Sequence, residues 1–133
     1  MIRLGTLADI PVLDPFDPFG GSREEEVSGN RLHVFRDDEG KLIGYVSTAG
    51  YRFHGYPYVA FLLVHPGYRR RGIATKLLRH VEALHVGERI FISTESDNNE
   101  MLALLAKLQY QYSGALAGLN LDGVGEVFFF KDL

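Results

Sequence analysis

The composition of this chain is typical of one small folded domain without thiol chemistry. Its 133 residues, 46% of them hydrophobic, suffice for a buried core but not for a second domain, so we expect a single domain over residues 1–133. Acidic residues outnumber basic ones 17 to 14, which excludes a general positive field for nucleic acid. The absence of cysteine excludes disulfides and thiolate catalysis.

The hydropathy pattern predicts no membrane partner. Met1 to Gly5 lacks the apolar segment of a signal peptide, and no apolar run approaches the ~20 residues of a membrane span. We therefore expect a cytoplasmic protein that is a monomer or a homodimer.

The first thirty residues predict a strand, an irregular segment and a short helix. Met1–Leu4 is a candidate strand, and Asp9–Phe19 contains two Asp-Pro-Phe tripeptides. Because each proline removes an N–H donor and favours extended geometry in the residue before it, we expect a loop that folds over a site instead of a regular helix. A capping box opens a helix from Ser22 to Val27, and Gly29 ends it.

The rest of the chain predicts strands around two amphipathic helices. The predicted strands are Leu32–Arg36, Leu42–Tyr51, Val59–Val64, Arg89–Ser93, Tyr112–Leu116 and Glu126–Lys131. One helix opens at Gly72, carries its apolar face to Leu84 and ends by Gly87, and another covers Asn98–Leu108. The strand–helix–strand unit around the first helix predicts a right-handed parallel crossover. We expect an α/β (α+β) fold with a mixed, mostly antiparallel sheet of about six to seven strands.

The turn between the strand Val59–Val64 and the following helix predicts an anion site. It contains Arg69, Arg70 and Arg71 and then Gly72 at the head of the helix. A helix N-terminus presents unpaired N–H groups and about half a positive charge, and glycine lets an anion approach the backbone. The alternative is an ordinary turn with solvated arginines.

The order strand, Arg69-x-x-Gly72-x-Ala74, helix resembles the acetyl-CoA signature (Arg or Gln)-x-x-Gly-x-(Gly or Ala) of the GNAT superfamily of acyl-CoA-dependent N-acetyltransferases. The order of elements is also similar to the GNAT fold across almost the whole chain. The interval Gly5–Arg31 departs from it, because the family usually places two helices there.

The resemblance implies a set of residues that bind acetyl-CoA as co-substrate. They are Leu62, Leu63, Val64, Arg69, Arg70, Arg71, Gly72, Ile73, Ala74, Thr75 and Asn98. In this interpretation the backbone of Leu62 and Val64 pairs with the pantetheine amides, and a main-chain N–H near Leu63 faces the thioester oxygen. Residues 69–75 hold the pyrophosphate. Asn98 either reaches the cofactor or caps its helix.

The catalytic residues are less defined by the resemblance. Members often have a tyrosine where this chain has Leu105, and some have a glutamate where it has Tyr58. Tyr110 and Tyr112 are candidate proton donors, with core or wall aromatics as the alternative. Glu95, with the neighbouring Asp97, is the best carboxylate for an acceptor amine, with a solvated surface charge as the alternative.

Together these features imply an enzyme that transfers acetyl from acetyl-CoA to a primary amine of a small molecule or peptide by direct attack in a ternary complex. Acetylation of a protein N-terminus or lysine is an alternative, and a non-catalytic acyl-CoA sensor is an alternative of another class. The histidines show no metal-ligand spacing, so we expect no metal.

Overall fold

The computed structural model describes residues 1–133 and contains one sheet of seven strands. The strands are β1 (Ile2–Leu4), β2 (Leu32–Arg36), β3 (Leu42–Thr48), β4 (Tyr58–Val64), β5 (Arg89–Glu95), β6 (Gln111–Leu116) and β7 (Glu126–Asp132). Their order across the sheet is β1-β2-β3-β4-β5-β7-β6, with only β4 and β5 parallel. The predicted mixed, mostly antiparallel sheet is therefore confirmed.

Helices cover both faces of this sheet. They are α1 (Ile10–Leu13), α2 (Arg23–Ser28), α3 (Ile73–Leu84) and α4 (Asn99–Lys107). α3 connects β4 to β5 and packs with α4 on one face, while α1 and α2 lie against β2 and β3 on the other. None of the helices has both the length and the apolar character needed to cross a membrane.

The front segment is more helical than the sequence predicts. Instead of a loop throughout Asp9–Phe19, α1 forms one turn between the 3-10 turns Leu7–Asp9 and Asp14–Phe16. The prolines fit because Pro11 and Pro15 stand in the first two positions of their turns, where no N–H donor is needed. The prediction of a loop is wrong for this part of the segment.

Two strand boundaries differ from the prediction by more than one residue. β3 ends at Thr48 instead of Tyr51, and β5 continues past Ser93 to Glu95. The register of β3 and β4 shifts between Ser47 and Thr48, so Ala60 has no partner on β3. Such a bulge increases the local twist of a strand and often redirects its side chains near a functional site.

The core lies in two layers on either side of the sheet. The larger layer joins the apolar faces of α3 and α4 to β3, β4 and β5, with Ile73, Leu77, Leu78, Val81, Ile90, Ile92 and Leu105 among its buried members. The smaller layer contains Leu13, Leu32, Val34, Leu42, Tyr45 and Leu63. Leu84, expected on the apolar face of α3, is 55% exposed because the helix ends there.

A pair of histidines joins β2 to α3 beneath the larger layer. His33 is 7% exposed, and its Nδ1 lies 3.1 Å from Nε2 of His80. Burial lowers the pKa of both imidazoles, and the neighbouring His80 charge lowers that of His33 further. The folded state therefore favours the neutral form of both rings.

This pair predicts a loss of stability in mild acid. An unfolded histidine has a pKa of ~6.5, so below that pH the unfolded chain binds protons that folded His33 and His80 do not. The stability that the neutral pair contributes is complete above about pH 6.5 and is lost as the pH falls toward the lower folded values. Urea unfolding at pH 7.5 and 5.5 should show a smaller loss in His80→Gln than in the parent. The exposed-histidine control His54→Gln should behave like the parent; equal losses in all three proteins would contradict the assignment.

Candidate functional site

The parallel strands β4 and β5 diverge along their length. They are paired only at Tyr58–Phe91 and Val59–Ile92, whereas β5 pairs with β7 from Arg89 to Glu95. The second half of β4 consequently has β3 on one side and no strand on the other. A wedge-shaped opening separates β4 from β5 at this point.

The backbone of β4 presents unpaired polar groups to this opening. His65 N–H donates to the Ile43 carbonyl at 2.7 Å, and hydrogen bonding in an antiparallel pair alternates from residue to residue. Leu63 therefore faces β3, while the backbone of Leu62 and Val64 faces the opening. The N–H of Leu63 points toward its register partner Tyr45, so among the main-chain N–H groups near Leu63 it is those of Leu62 and Val64 that face the opening. Only the Val64 carbonyl has a local partner, the Arg69 Nε at 3.3 Å.

The head of α3 presents a run of unused hydrogen-bond donors. No acceptor in the structure takes the backbone N–H groups from Arg70 to Thr75. Arg70 and Gly72 have φ angles of 62° and 76°, a left-handed geometry that aims successive N–H groups toward a common point. No atom lies within 4 Å of where a Cβ on Gly72 would be. The result is an open cradle of the kind that binds phosphate.

A cleft of about 560 Å³ joins the cradle to the opening. All of the predicted cofactor residues except Arg71 line it: Leu62, Leu63, Val64, Arg69, Arg70, Gly72, Ile73, Ala74, Thr75 and Asn98. The Arg71 guanidinium instead lies over the Tyr68 ring, 5.0 Å from its centroid, and faces a neighbouring depression beside Asp37. The structure therefore brings together the predicted set with one exception.

α4 forms the opposite wall of the cleft. Asn98 Oδ1 accepts the Met101 N–H at 3.2 Å and so caps the helix. Its Nδ2 donates to no protein group and stays available at the cleft, so the cap and a ligand contact are compatible. Met101 and Leu104 give this wall an apolar surface, while Leu105 points into the core and is fully buried. α4 consequently offers no hydroxyl at position 105.

The front segment closes one end of the cleft. Pro18 and Phe19 line it, and Phe19 stacks on Phe61 with ring centroids 5.0 Å apart. The ring of Phe61 also contacts the Arg23 guanidinium, whose Cζ lies 4.5 Å from the ring centroid. Arg23 is only 6% exposed and forms ion pairs with Asp17 and with Glu26. The sequence predicts a segment that folds over a site, of which Pro18 and Phe19 line this cleft, but it does not predict the buried arginine that holds the segment.

Carboxylates gather on the face of the sheet opposite α3 and α4. Glu95 ends β5 and is the register partner of Glu126 on β7, with Asp97 and Asp122 in the adjoining loops. Partial burial and repulsion from the Asp122 carboxylate raise the pKa of Glu95. None of these four residues forms an ion pair with a basic side chain. These four carboxylates together form a negatively charged surface that attracts cations.

A chain of hydrogen bonds that the sequence does not predict runs beside these carboxylates. The Tyr58 hydroxyl is bonded to Ser93 Oγ, and Ser93 Oγ donates to Glu126 Oε2 at 2.7 Å. Asn120 Nδ2 donates to Glu126 Oε1 at 3.0 Å. The available signal was a polar serine inside the apolar run of β5, but its partner on β7 depends on the sheet register.

The two tyrosines that were candidate proton donors lie away from the cleft. The Tyr110 hydroxyl is buried and donates to Glu82 Oε2 at 2.8 Å beneath α3. Tyr112 lies on β6, with β7 between it and β5, and its 60% exposed side chain packs its ring edge against Phe129. Tyr110 therefore fits the core alternative, whereas Tyr112 is an exposed side chain on the sheet.

The model of the acetyltransferase (GNAT) family matches residues 7–110 of this chain. A GNAT-family acetyltransferase from Bacillus cereus is 20% identical, with a TM-score of 0.81 over 99% of this chain and 96% of that one. The ribosomal-protein-S18-alanine N-acetyltransferase from Escherichia coli is 17% identical, with a TM-score of 0.78 over 98% and 91%. Arabidopsis thaliana NAA60, in complex with acetyl-CoA, is 19% identical, with a TM-score of 0.80 over 100% and 99%.

The cradle predicts the effect of a charge at Gly72. Gly72→Glu adds a side chain and a negative charge where phosphates must approach, so CoA binding should weaken by at least ~2 kcal/mol, more than tenfold. Calorimetric titration with CoA measures the change. Gly55→Glu is the matched control, because Gly55 also has a positive φ and no atom within 4 Å of its Cβ position, but lies outside the cleft. Equal CoA affinities in the folded Gly72 and Gly55 variants would contradict the cradle.

Proposed function

The chain belongs to the GNAT family of acetyltransferases, and we propose from that premise that it transfers an acetyl group from acetyl-CoA to a primary amine of a small molecule or peptide. The observation that carries the proposal is the run of unused N–H donors at the head of α3, directly beside the unpaired edge of β4. Phosphate groups and an amide-bearing arm are the ligands that these two features complement.

The cleft fits acetyl-CoA on the chemistry of its donors. The diphosphate would be held by the backbone from Arg70 to Thr75, where Gly72 leaves room for close approach. The pantetheine amides would pair with Leu62 and Val64 as an added strand does. Because the cradle follows the C-terminal end of β4, the residues between Ala60 and Leu62 would hold the end of the arm that is farther from the diphosphate. Bound in this way, acetyl-CoA supplies an activated acyl group to the narrow part of the opening.

The acceptor amine is proposed to enter from the opposite face of the sheet. α3 and α4 cover the cofactor side, whereas Glu95 and its neighbouring carboxylates lie on the other face near the opening. An unneutralised acidic group attracts a protonated amine and favours cationic acceptors. Donor and acceptor can then be bound together, so the amine attacks the thioester directly in a ternary complex. The chain has no cysteine that could carry the acyl group in between.

No side chain is proposed as the acid for the departing thiol. Leu105 has no hydroxyl, the Tyr110 hydroxyl is engaged by Glu82, and Tyr112 is separated from β5 by β7. A thiol of pKa ~8.5 is a tolerable leaving group at neutral pH, and water suffices to protonate it. Of the three predicted catalytic residues, we retain Glu95, as the residue that orients the amine.

Acetylation of a protein N-terminus is the second candidate function. Its support is the similarity in fold to the ribosomal-protein-S18-alanine N-acetyltransferase from Escherichia coli, at 17% identity. A panel of small polyamines, lysine-containing peptides and free N-terminal peptides separates these classes by kcat/KM. Release of free CoA thiol with at least one amine is the direct test of the proposed function. Tight CoA binding without thiol release for any amine would favour the non-catalytic sensor instead.

Glu95 provides a test of acceptor binding. Glu95→Gln removes a charge beside the amine, so KM for cationic amines should rise by about tenfold, because one charge-assisted contact contributes ~1.5 kcal/mol. CoA affinity should not change, since Glu95 is absent from the lining of the cofactor cleft. Steady-state kinetics and CoA calorimetry measure the two quantities. Unchanged kinetics for every accepted amine would make Glu95 a surface charge.

Tyr110 provides the complementary test. Tyr110→Phe removes the hydroxyl that donates to buried Glu82, so the free energy of unfolding should fall by about 1 kcal/mol. Turnover should stay within about twofold of the parent, because the ring lies in the core. Urea unfolding and thiol release give the two numbers. A ~10²-fold loss of turnover at unchanged stability would restore Tyr110 as the acid.

A further inference from the structure

The hydrogen-bond chain from Tyr58 to Glu126 has a defined direction. Ser93 Oγ has one proton, and the geometry gives it to Glu126 Oε2 at 2.7 Å. Ser93 must therefore accept from Tyr58, whose hydroxyl proton points to it. The second oxygen of Glu126 accepts the Asn120 amide at 3.0 Å, so the carboxylate is an acceptor at both ends. The lone pairs of the Tyr58 oxygen are therefore free to accept a hydrogen bond from a bound ligand.

This chain lies where β4 and β5 begin to separate. Tyr58 belongs to one of the two pairs that join these strands, and Ser93 is the first residue of β5 beyond them. Strand alternation places Ser93, Glu95 and Glu126 on the face away from α3 and α4, which is the proposed acceptor side. The Tyr58 hydroxyl is thus at the narrow end of the opening, on the side from which an amine arrives.

We propose that Tyr58, Ser93 and Glu126 form a proton relay that deprotonates the acceptor amine. The ammonium gives one proton to the Tyr58 oxygen while the Tyr58 proton moves to Ser93 Oγ and the Ser93 proton moves to Glu126 Oε2. Each hydroxyl gains one proton and loses one, so the net change is a neutral amine and a protonated Glu126. After attack, the second nitrogen proton neutralises the departing thiolate, and Glu126 returns its proton to water. Tyr58 is the catalytic residue, while Ser93, Glu126 and Asn120 act through it.

The relay explains how a tyrosine serves as base without ionising. Burial raises the pKa of Tyr58, so its phenolate form is disfavoured at neutral pH. The proton that enters the relay is instead held by the Glu126 carboxylate, two hydrogen bonds away from the Tyr58 oxygen. The charged groups beside the relay are Glu95, the register partner of Glu126, and around Glu95 the loop residues Asp97 and Asp122, all negative.

The relay rests on the proposed acetyl transfer. The pH dependence of kcat/KM distinguishes it from a purely structural role of the same residues. A free amine of pKa ~10 is about one part in a thousand neutral at pH 7, so an enzyme without a base gains rate tenfold per pH unit. The parent should instead show nearly constant kcat/KM between pH 7 and 9. Glu126→Gln and Ser93→Ala should lose ~10²-fold at pH 7 and approach the parent near pH 9. The double variant should lose no more than either single one.

The controls separate the relay from damage to the fold. Tyr56→Phe removes a nearby hydroxyl that makes no hydrogen bond and should keep the parent profile. CoA affinity by calorimetry should be unchanged in all relay variants, because none of their residues lines the cofactor cleft. A loss of equal size at every pH, or additive losses in the double variant, would overturn the relay.

A measurement on the free protein completes the test. With ¹³C-labelled tyrosine, the Tyr58 Cζ resonance should shift in Glu126→Gln and in Ser93→Ala, whereas the Tyr56 resonance should not. If the parent releases no thiol with any amine, the proposed function fails. If the parent turns over but the variants keep its pH profile and the Tyr58 resonance does not move, only the relay fails.

Discussion

The divergence of β4 from β5 is the constraint on which the rest of the site depends. β5 can leave β4 because it keeps a full antiparallel partner in β7, from Arg89 to Glu95. β4 therefore has backbone groups without a partner strand, at Leu62 and Val64, which face the opening. Buried unpaired amides are unfavourable, whereas amides at an opening can be satisfied by water or by a ligand that supplies the missing strand. One break in pairing thus creates both the cleft and its hydrogen-bonding edge.

The connection between β4 and α3 aligns this edge with the cradle. The chain leaves β4 at Val64, turns through Pro66–Tyr68, and starts α3 after the left-handed Gly72. With glycine as N-cap, no side chain competes for the first N–H groups of the helix. Backbone donors held in place by a helix act together, whereas an exposed arginine pair contributes only ~0 to 1 kcal/mol. This difference explains why Arg71 can turn away to Tyr68 while the cradle remains intact.

Local patterns made most of the fold and most residues of the cleft predictable. Glycine at position 72 between an apolar strand and an amphipathic helix identified the cradle, because all its parts are adjacent in sequence. Contacts between residues that are distant in the sequence could not be predicted from such local patterns. Tyr110 lies in the core because its hydroxyl bonds to Glu82, a residue 28 positions earlier in the chain. Ser93 bonds to Glu126 because the register of β5 and β7 places the two side chains next to each other. In the front segment, proline chemistry excluded a long helix but did not exclude the single turn of α1.

The contacts of Arg23 fix the front wall of the cleft, Pro18 and Phe19, when the chain folds. Arg23 contacts the ring of Phe61 and pairs with Asp17 and Glu26, all within the folded chain. Phe19, stacked on Phe61, is therefore set in position by interactions that exist without any ligand. The conformational entropy of this irregular segment is lost during folding and not during association. A substrate that meets this wall encounters a surface already formed, so its own binding free energy is not spent on ordering the segment.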